Sequence, residues 1–185
     1  CSEENEFKLK KEYLLSVITS KTKAIILNSP SNPTGSIYSK QELEEIAEIA
    51  VKNDIIVISD EIYEKLVYDG ETHISIASLN NEIKERTIIV NGMSKGYAMT
   101  GWRIGYTAST KEIAKIMANI QSHATSNPNT IAQYASIEGL RGDQSSVAEM
   151  RKSFDERRKY MVERINKIND LSCITPKGAF YVMMN

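Results

Sequence analysis

Five side chains between positions 32 and 103 offer five different chemistries: the amide of Asn32, the carboxylate of Asp60, the phenol of Tyr63, the amine of Lys95 and the guanidinium of Arg103. An amine condenses with an aldehyde, and lysine is the side chain that supplies one. A carboxylate beside a ring nitrogen keeps that nitrogen protonated. A phenol or an amide can donate to a ring oxygen. A phosphate dianion is gripped best by the rigid two-pronged guanidinium. Together these five groups answer the aldehyde, pyridine nitrogen, phenolate oxygen and phosphate of pyridoxal 5′-phosphate, the phenol and the amide both serving the oxygen. Each residue also has a plainer use. Asn32 can shape a turn before Pro33, Asp60 and Glu61 can end a strand in solvent, and Tyr63 can pack in a core. Lys95 can be solvated and Arg103 can sit in a surface ion pair. The joint placement favours the chemical reading.

That placement comes from the elements around them. Ala24–Asn28, Ile55–Ser59 and Thr87–Asn91 are short continuous apolar runs, the pattern of strands buried on both faces. Ser39 and Glu42 form a capping box that opens a helix with Leu43, Ile46, Ala47 and Ala50 on one face, ending near Asn53. Helical connections between such strands imply parallel pairing through right-handed crossovers. Arg103–Ala108 reads as a fourth strand of undetermined direction. Ligands of open parallel sheets bind beyond the carboxyl ends of the strands. Asn32, then Asp60, Glu61 and Tyr63, then Ser94 and Lys95 follow those ends in turn.

The second half reads as helical. Capping boxes are expected at Ser109/Glu112, opening a helix to about Gln121, and at Ser146/Glu149, opening a long helix to about Ile168. A further helix spans about Thr130 to Leu140, between breaks at Asn127-Pro128-Asn129 and Gly142-Asp143. The long helix carries the apolar stripe Val147, Met150, Phe154, Met161, Ile165 and Ile168, and its length suits an element bridging two domains as well as a core helix. Residues 1–143 are therefore read as part of a large domain, and 144–185 as an interdomain helix and the start of a smaller one.

Composition narrows the partners. With 41% apolar and 25% charged residues the chain is of ordinary globular make-up, and a net charge of -1 argues against nucleic acid or anionic membrane as the main partner. No apolar run is long enough to span a bilayer, and the acidic start is not a signal peptide. Cys1 and Cys173 read as two free thiols of a cytoplasmic protein. His73 and His123 stand apart from any Cys or acidic cluster at ligand spacing, so no metal site is expected. The chain lacks an initiator Met, and Ala179–Met184 reads as a strand just leaving a turn, so a fragment of a longer chain is expected.

Three segments then become recognisable. Ser29-Pro30-Ser31-Asn32-Pro33-Thr34-Gly35, Ser59-Asp60-Glu61-Ile62-Tyr63 and Asn91-Gly92-Met93-Ser94-Lys95 running on to Tyr106 resemble the class I aminotransferases of fold type I, and most closely their bacterial aspartate aminotransferase branch. Gln121–Pro128, Ile131–Tyr134 and Pro176–Tyr181 match in the same order, so the resemblance covers nearly the whole chain. It implies a three-layer α/β/α, mainly parallel sheet followed by the start of a smaller α+β domain. It also implies transamination from L-aspartate to 2-oxoglutarate with pyridoxal phosphate as cofactor, in a homodimer. By the same resemblance, Lys95 carries the cofactor as a Schiff base and moves a proton between the substrate Cα and the cofactor C4′. Asp60 pairs with the pyridine nitrogen, and Tyr63 and Asn32 bond the ring oxygen. Asn32 also helps hold the substrate carboxylate, and Arg103 binds the phosphate.

The sequence departs from the family where some members carry a phosphate-binding Ser three residues before the Lys; here that position is Gly92. The family's N-terminal phosphate loop and C-terminal carboxylate-binding Arg have no counterpart in these residues, so the chain alone is expected to have little or no transaminase activity. Aromatic amino acids, alanine and prephenate are alternative substrates, and carbon–sulfur lyases share the fold. Two other classes are a transcription regulator with an aminotransferase-like sensor domain and a plain phosphate- or nucleotide-binding α/β protein. The latter is weakened because no glycine-rich strand-to-helix loop of either standard kind occurs.

Overall fold

A computed structural model describes residues 2–185. Cys1, one of the two thiols read above, lies outside the described residues. In chain order the elements are α1 (Lys11–Val17), β1 (Ala24–Asn28), α2 (Lys40–Lys52), β2 (Ile56–Asp60), α3 (Asn81–Lys84), β3 (Thr87–Gly92), β4 (Gly105–Ala108), α4 (Lys111–Ala124), α5 (Thr130–Arg141) and α6 (Ser145–Ile165). The four strands form one sheet in the order β1-β2-β3-β4. The first two pairings are parallel, and β3–β4 is antiparallel, which settles the direction of the fourth strand. The molecule is thus an α/β protein with a mainly parallel sheet.

The capping box at the start of α2 forms as expected. Ser39 N donates to Glu42 Oε2 at 2.7 Å, Glu42 N donates to Ser39 Oγ at 3.3 Å, and Asn53 is the C-cap. Leu43, Ile46, Ala47 and Ala50 face Leu27, Ile55 and Val57 in one apolar core, with Ile76 and Ile83 closing its far side. Burying each such side chain contributes about 1.5–3 kcal/mol.

The opposite face corrects the expectation of strands buried on both sides. Ile26, Ile58 and Ile88 lie in register across the three parallel strands. Ile26 is 76% exposed, because among the described residues no helix seals this face as α2 seals the other. β4 is exposed along its whole length.

Three local expectations fail for identifiable reasons. α4 is capped by Thr110 without any side-chain bond, and Ser109 Oγ bonds the Thr110 carbonyl at 3.3 Å instead. α6 starts one residue before Ser146, where Asp143 Oδ1 accepts from Ser145 N at 3.1 Å, and it ends at Ile165. Its buried positions are Arg158 and Ile165, whereas Met161 and Ile168 of the expected stripe are exposed. Arg158 fits in the stripe because its charge is met: two bonds of 2.7 Å to Asp69, more to Asp155, and the Tyr68 ring 4.7 Å away. Finally, Ala179–Met184 is not a strand. A single bridge, Gly178 to Val67, lies just before it. No helix among the described residues is long and apolar enough to cross a membrane.

Candidate active site

The parallel register places Asn28 beside Asp60 and Asp60 beside Val90, so the carboxyl ends of three strands form one edge. Asn28 ties this edge to the loop above it: its Nδ2 donates to the Asp60 carbonyl at 3.2 Å and its Oδ1 accepts from Asn32 N at 2.7 Å. Asp60 itself belongs to β2, one residue further into the strand than expected. Its half-buried carboxylate accepts from Ile62 N at 3.2 Å, which caps the turn leading to Tyr63.

The loop from Ser29 to Gly35 contains two cis X-Pro bonds, before Pro30 and before Pro33. Gly35 has φ +69°, and a Cβ there would lie 2.3 Å from Pro176 Cβ. Only glycine tolerates both that backbone and that approach. Its carbonyl accepts from Lys177 N at 3.1 Å and from Gly178 N at 2.9 Å. The Asn32 loop is therefore clamped directly to the last part of the chain.

The same part of the chain reaches Tyr63. Ala179 N donates to the Leu66 carbonyl at 2.9 Å, and Tyr68 Oη donates to the Ala179 carbonyl at 2.6 Å. Phe180 and Tyr181 then pack on the buried Tyr63 ring, at 5.4 and 5.7 Å between centroids and both edge-on, with Phe154 of α6 stacked behind Phe180 at 5.2 Å. The Tyr63 and Tyr181 hydroxyls are 2.6 Å apart. Burial pushes the Tyr63 hydroxyl well above the ordinary phenol value of 10.0; the Tyr181 bond and the Asp60 charge add to the rise, and the Asn32 amide opposes it. The Lys95 ammonium lies 5.8 Å from the centroid of the Phe180 ring.

Asn32, Asp60, Tyr63 and Lys95 are thus gathered at one sheet edge, with Phe180 between the phenol and the amine. Arg103 stands apart in orientation. It is exposed, has φ 51° in the turn before β4, and its Nη1 donates to the Thr100 carbonyl at 3.0 Å. The departure at Gly92 has a steric cause. A Cβ there would lie 2.9 Å from Gly105 Cα and 3.0 Å from the Ile104 carbonyl, so a serine would force β3 and β4 apart.

Three residues here, Phe180, Tyr181 and Arg158, escape sequence reasoning, and so does the burial of Glu61. Phe180 and Tyr181 were read as strand, and nothing in their spacing links them to Tyr63, more than a hundred positions away. Arg158 stands at helical spacing from Phe154, and that spacing was a usable sign. Glu61 is 3% exposed; it alternates with Val57 and Ser59 toward the core face, a period-two sign that was also usable. Its carboxylate accepts from Ser59 Oγ at 2.9 Å and Ser75 Oγ at 2.7 Å, and pairs with His73 Nε2 at 3.0 Å. Burial raises the Glu61 carboxyl, but the bonds from His73, Ser75 and Ser59 outweigh it and hold the group below its ordinary 4.5. The expectation that His73 stands apart from acidic groups is corrected accordingly: it is separated from them only in sequence, and the fold brings ligand atoms of Glu61, Glu64 and His73 within 4.8 Å of one another. The pairing of His73 with Glu61 is enough to explain this grouping.

An amine, a phenol, an amide and a carboxylate at one strand edge can hold a carbonyl compound covalently and pair with its ring atoms. The family profile described as aminotransferase class I and II matches residues 1–185. The chain is 49% identical over 183 residues to an aspartate aminotransferase of Bacillus subtilis, a match covering 99% of this chain and 47% of that protein. It is 49% identical over 184 residues to an asparagine–oxo-acid transaminase of Streptococcus mutans, again covering 47% of the relative. Among solved structures, the aromatic aminotransferase from Pyrococcus horikoshii superposes with a TM-score of 0.94 at 47% identity, over 98% of this chain and 48% of that one. The chain spans about half the length of the relatives it matches. On the match along its whole length, the chain belongs to the class I and II aminotransferases.

Proposed function

We propose that this chain carries the cofactor-holding part of a pyridoxal-phosphate-dependent aminotransferase acting on L-aspartate and 2-oxoglutarate. The observation that carries the reading is the convergence of the Lys95 amine and the Tyr63 phenol on Phe180, at the strand edge that also presents Asp60. The donor set fits the cofactor. Lys95 suits its aldehyde carbon, Asp60 its ring nitrogen, and Tyr63 and Asn32 its ring oxygen; the exposed guanidinium of Arg103, held on the Thr100 carbonyl, would have to turn toward the site to meet its phosphate. Bound there, pyridoxal phosphate supplies a carbon that accepts the amino group and a ring that withdraws electrons from the substrate Cα.

The chain's own residues do the rest. Lys95 would supply the amine that holds the aldehyde carbon and the base that takes and returns a proton at the substrate Cα. The Asp60 carboxylate keeps a proton on the ring nitrogen. The Tyr63 hydroxyl and the Asn32 amide donate to the ring oxygen, and Asn32 can also meet the substrate carboxylate. Asn28 and Gly35 both fix the backbone of the loop that carries Asn32. In the domain assignment that goes with this reading, 1–143 is cofactor domain and 144–185 leads into a smaller domain, with the whole enzyme a homodimer.

Aspartate is favoured by the name of the B. subtilis relative; the S. mutans and P. horikoshii names keep asparagine and aromatic amino acids as rivals. Titration with pyridoxal phosphate followed by borohydride reduction and peptide mass mapping is expected to find the adduct on Lys95, and Lys95→Ala is expected to lose it entirely. An adduct spread over surface lysines would sink the proposal. A panel of amino acids given to the intact enzyme then ranks the substrates, and a preference for an aromatic one would replace aspartate.

A further inference from the structure

Tyr181 has no part in the scheme above, yet it touches the group on which that scheme depends. Its hydroxyl is 2.6 Å from that of Tyr63, and its ring packs edge-on against the Tyr63 ring. The contact is held from several sides. Gly178 and Lys177 are bonded to Gly35, Ala179 is bonded to Leu66 and Tyr68, and Arg158 Nη1 donates to the Pro176 carbonyl at 2.7 Å. Ala179 turns the chain toward the site in a left-handed conformation, φ 57°, although it is no glycine and is fully buried. Such a backbone persists only where the surroundings over-determine it.

A phenol has one proton to donate and two lone pairs to accept with. Between two neutral phenols either oxygen can be the donor. A charged ring oxygen in front of Tyr63 breaks that symmetry, since a charge-assisted bond is about twice as strong as a neutral one. The Tyr63 proton then goes to the charged oxygen, and Tyr181 must donate to Tyr63.

We infer that Tyr181 is a positioning residue for Tyr63: by donating to the Tyr63 oxygen it aims the Tyr63 O–H at the cofactor ring oxygen, an inference that rests on the cofactor reading above. The other ionisable groups facing Tyr63 are Asp60, from the end of β2, and Lys95, beyond Phe180. Both keep their places when Tyr181 loses only its oxygen.

The test uses pyridoxal phosphate itself, added to the chain and followed by its visible absorption across pH. A donor to the ring oxygen steadies the negative charge there and so weakens its hold on a proton at the lysine nitrogen. Weakening that donor moves the midpoint of the absorption change upward. Tyr181→Phe is expected to raise the midpoint by about 0.5 pH unit. Tyr63→Phe should raise it further, and the double variant should match Tyr63→Phe. Tyr181→His, which keeps a ring N–H, should bring the midpoint back toward that of the parent. Circular dichroism beforehand checks that each variant is folded, and the half-exposed Tyr181 ring leaves room for either change. An unmoved midpoint in Tyr181→Phe, or a double variant shifted beyond Tyr63→Phe, overturns the inference while the cofactor reading stands. No visible band in the parent chain sinks the cofactor reading, and the inference with it.

Discussion

The two sides of β2 are built in different ways. On the α2 side, Val57 packs among Leu43, Ile46 and Ala50 in a core whose members come from adjacent elements. At the carboxyl edge, the buried apolar cluster is small, Tyr63, Leu66 and Ala179, and the site is tied together by polar links between distant segments. Tyr63 meets Tyr181 across 118 positions, Tyr68 meets Ala179 across 111, and Arg158 meets Asp69 across 89. The core side draws its stability from area; the site side draws its geometry from a few directed bonds. A protein arranged like this can lose stability without losing the shape of its site, and can lose the shape of its site with little loss of stability.

Substitutions that separate those two outcomes test the contrast. The largest effect is expected from Leu43→Ala, at 1% exposure in the core. It should cost about 3 kcal/mol in denaturant unfolding while pyridoxal phosphate binds the remaining folded molecules unchanged. Weakened binding under folding conditions would mean that core and site are not separate. Gly35→Ala comes next, because it needs a left-handed backbone and pushes a methyl into Pro176. A loss of about 2 kcal/mol is expected, together with a much weaker affinity for the cofactor, since the Asn32 loop loses its clamp. Calorimetry and absorbance titration on the same sample read both quantities.

The smallest effect belongs to Glu61, which sits where the two regions meet. Its carboxyl is held below the ordinary 4.5 in the folded chain, so the unfolded chain binds its proton more readily. The stabilisation is complete above that ordinary value and fades as pH falls through the lower folded one. Glu61→Gln is expected to cost about 1 kcal/mol at neutral pH and to flatten the acid side of the stability profile. Parallel profiles for parent and variant between neutrality and strong acid would show that the buried carboxylate does not contribute in this way.

Much of this was legible beforehand where the forces are local. The capping box of α2, its apolar face and the three parallel strands follow from periodicities within a dozen residues, and they hold. The Asp60 and Lys95 positions follow from the rule that strand ends carry ligands. Local reading failed at Ser109 and Ser146, because a serine three residues before a glutamate has the spacing of a capping box whether or not the backbone opens a helix there. It failed also at Ala179–Met184, where apolar residues suggested pairing with a neighbouring strand and the chain instead packs its aromatic rings on Tyr63.

The sequence by itself determined the class of fold, the face that α2 buries, and which chemical groups follow the carboxyl ends of the strands, because propensity, periodicity and functional-group chemistry are properties of short stretches. Only the tertiary structure decided that Glu61 is buried against His73, that Gly35 must be a glycine, and that Tyr181 meets Tyr63. Each of those depends on which distant segments share a volume, and that is set by the packing of the whole chain, which no short stretch contains.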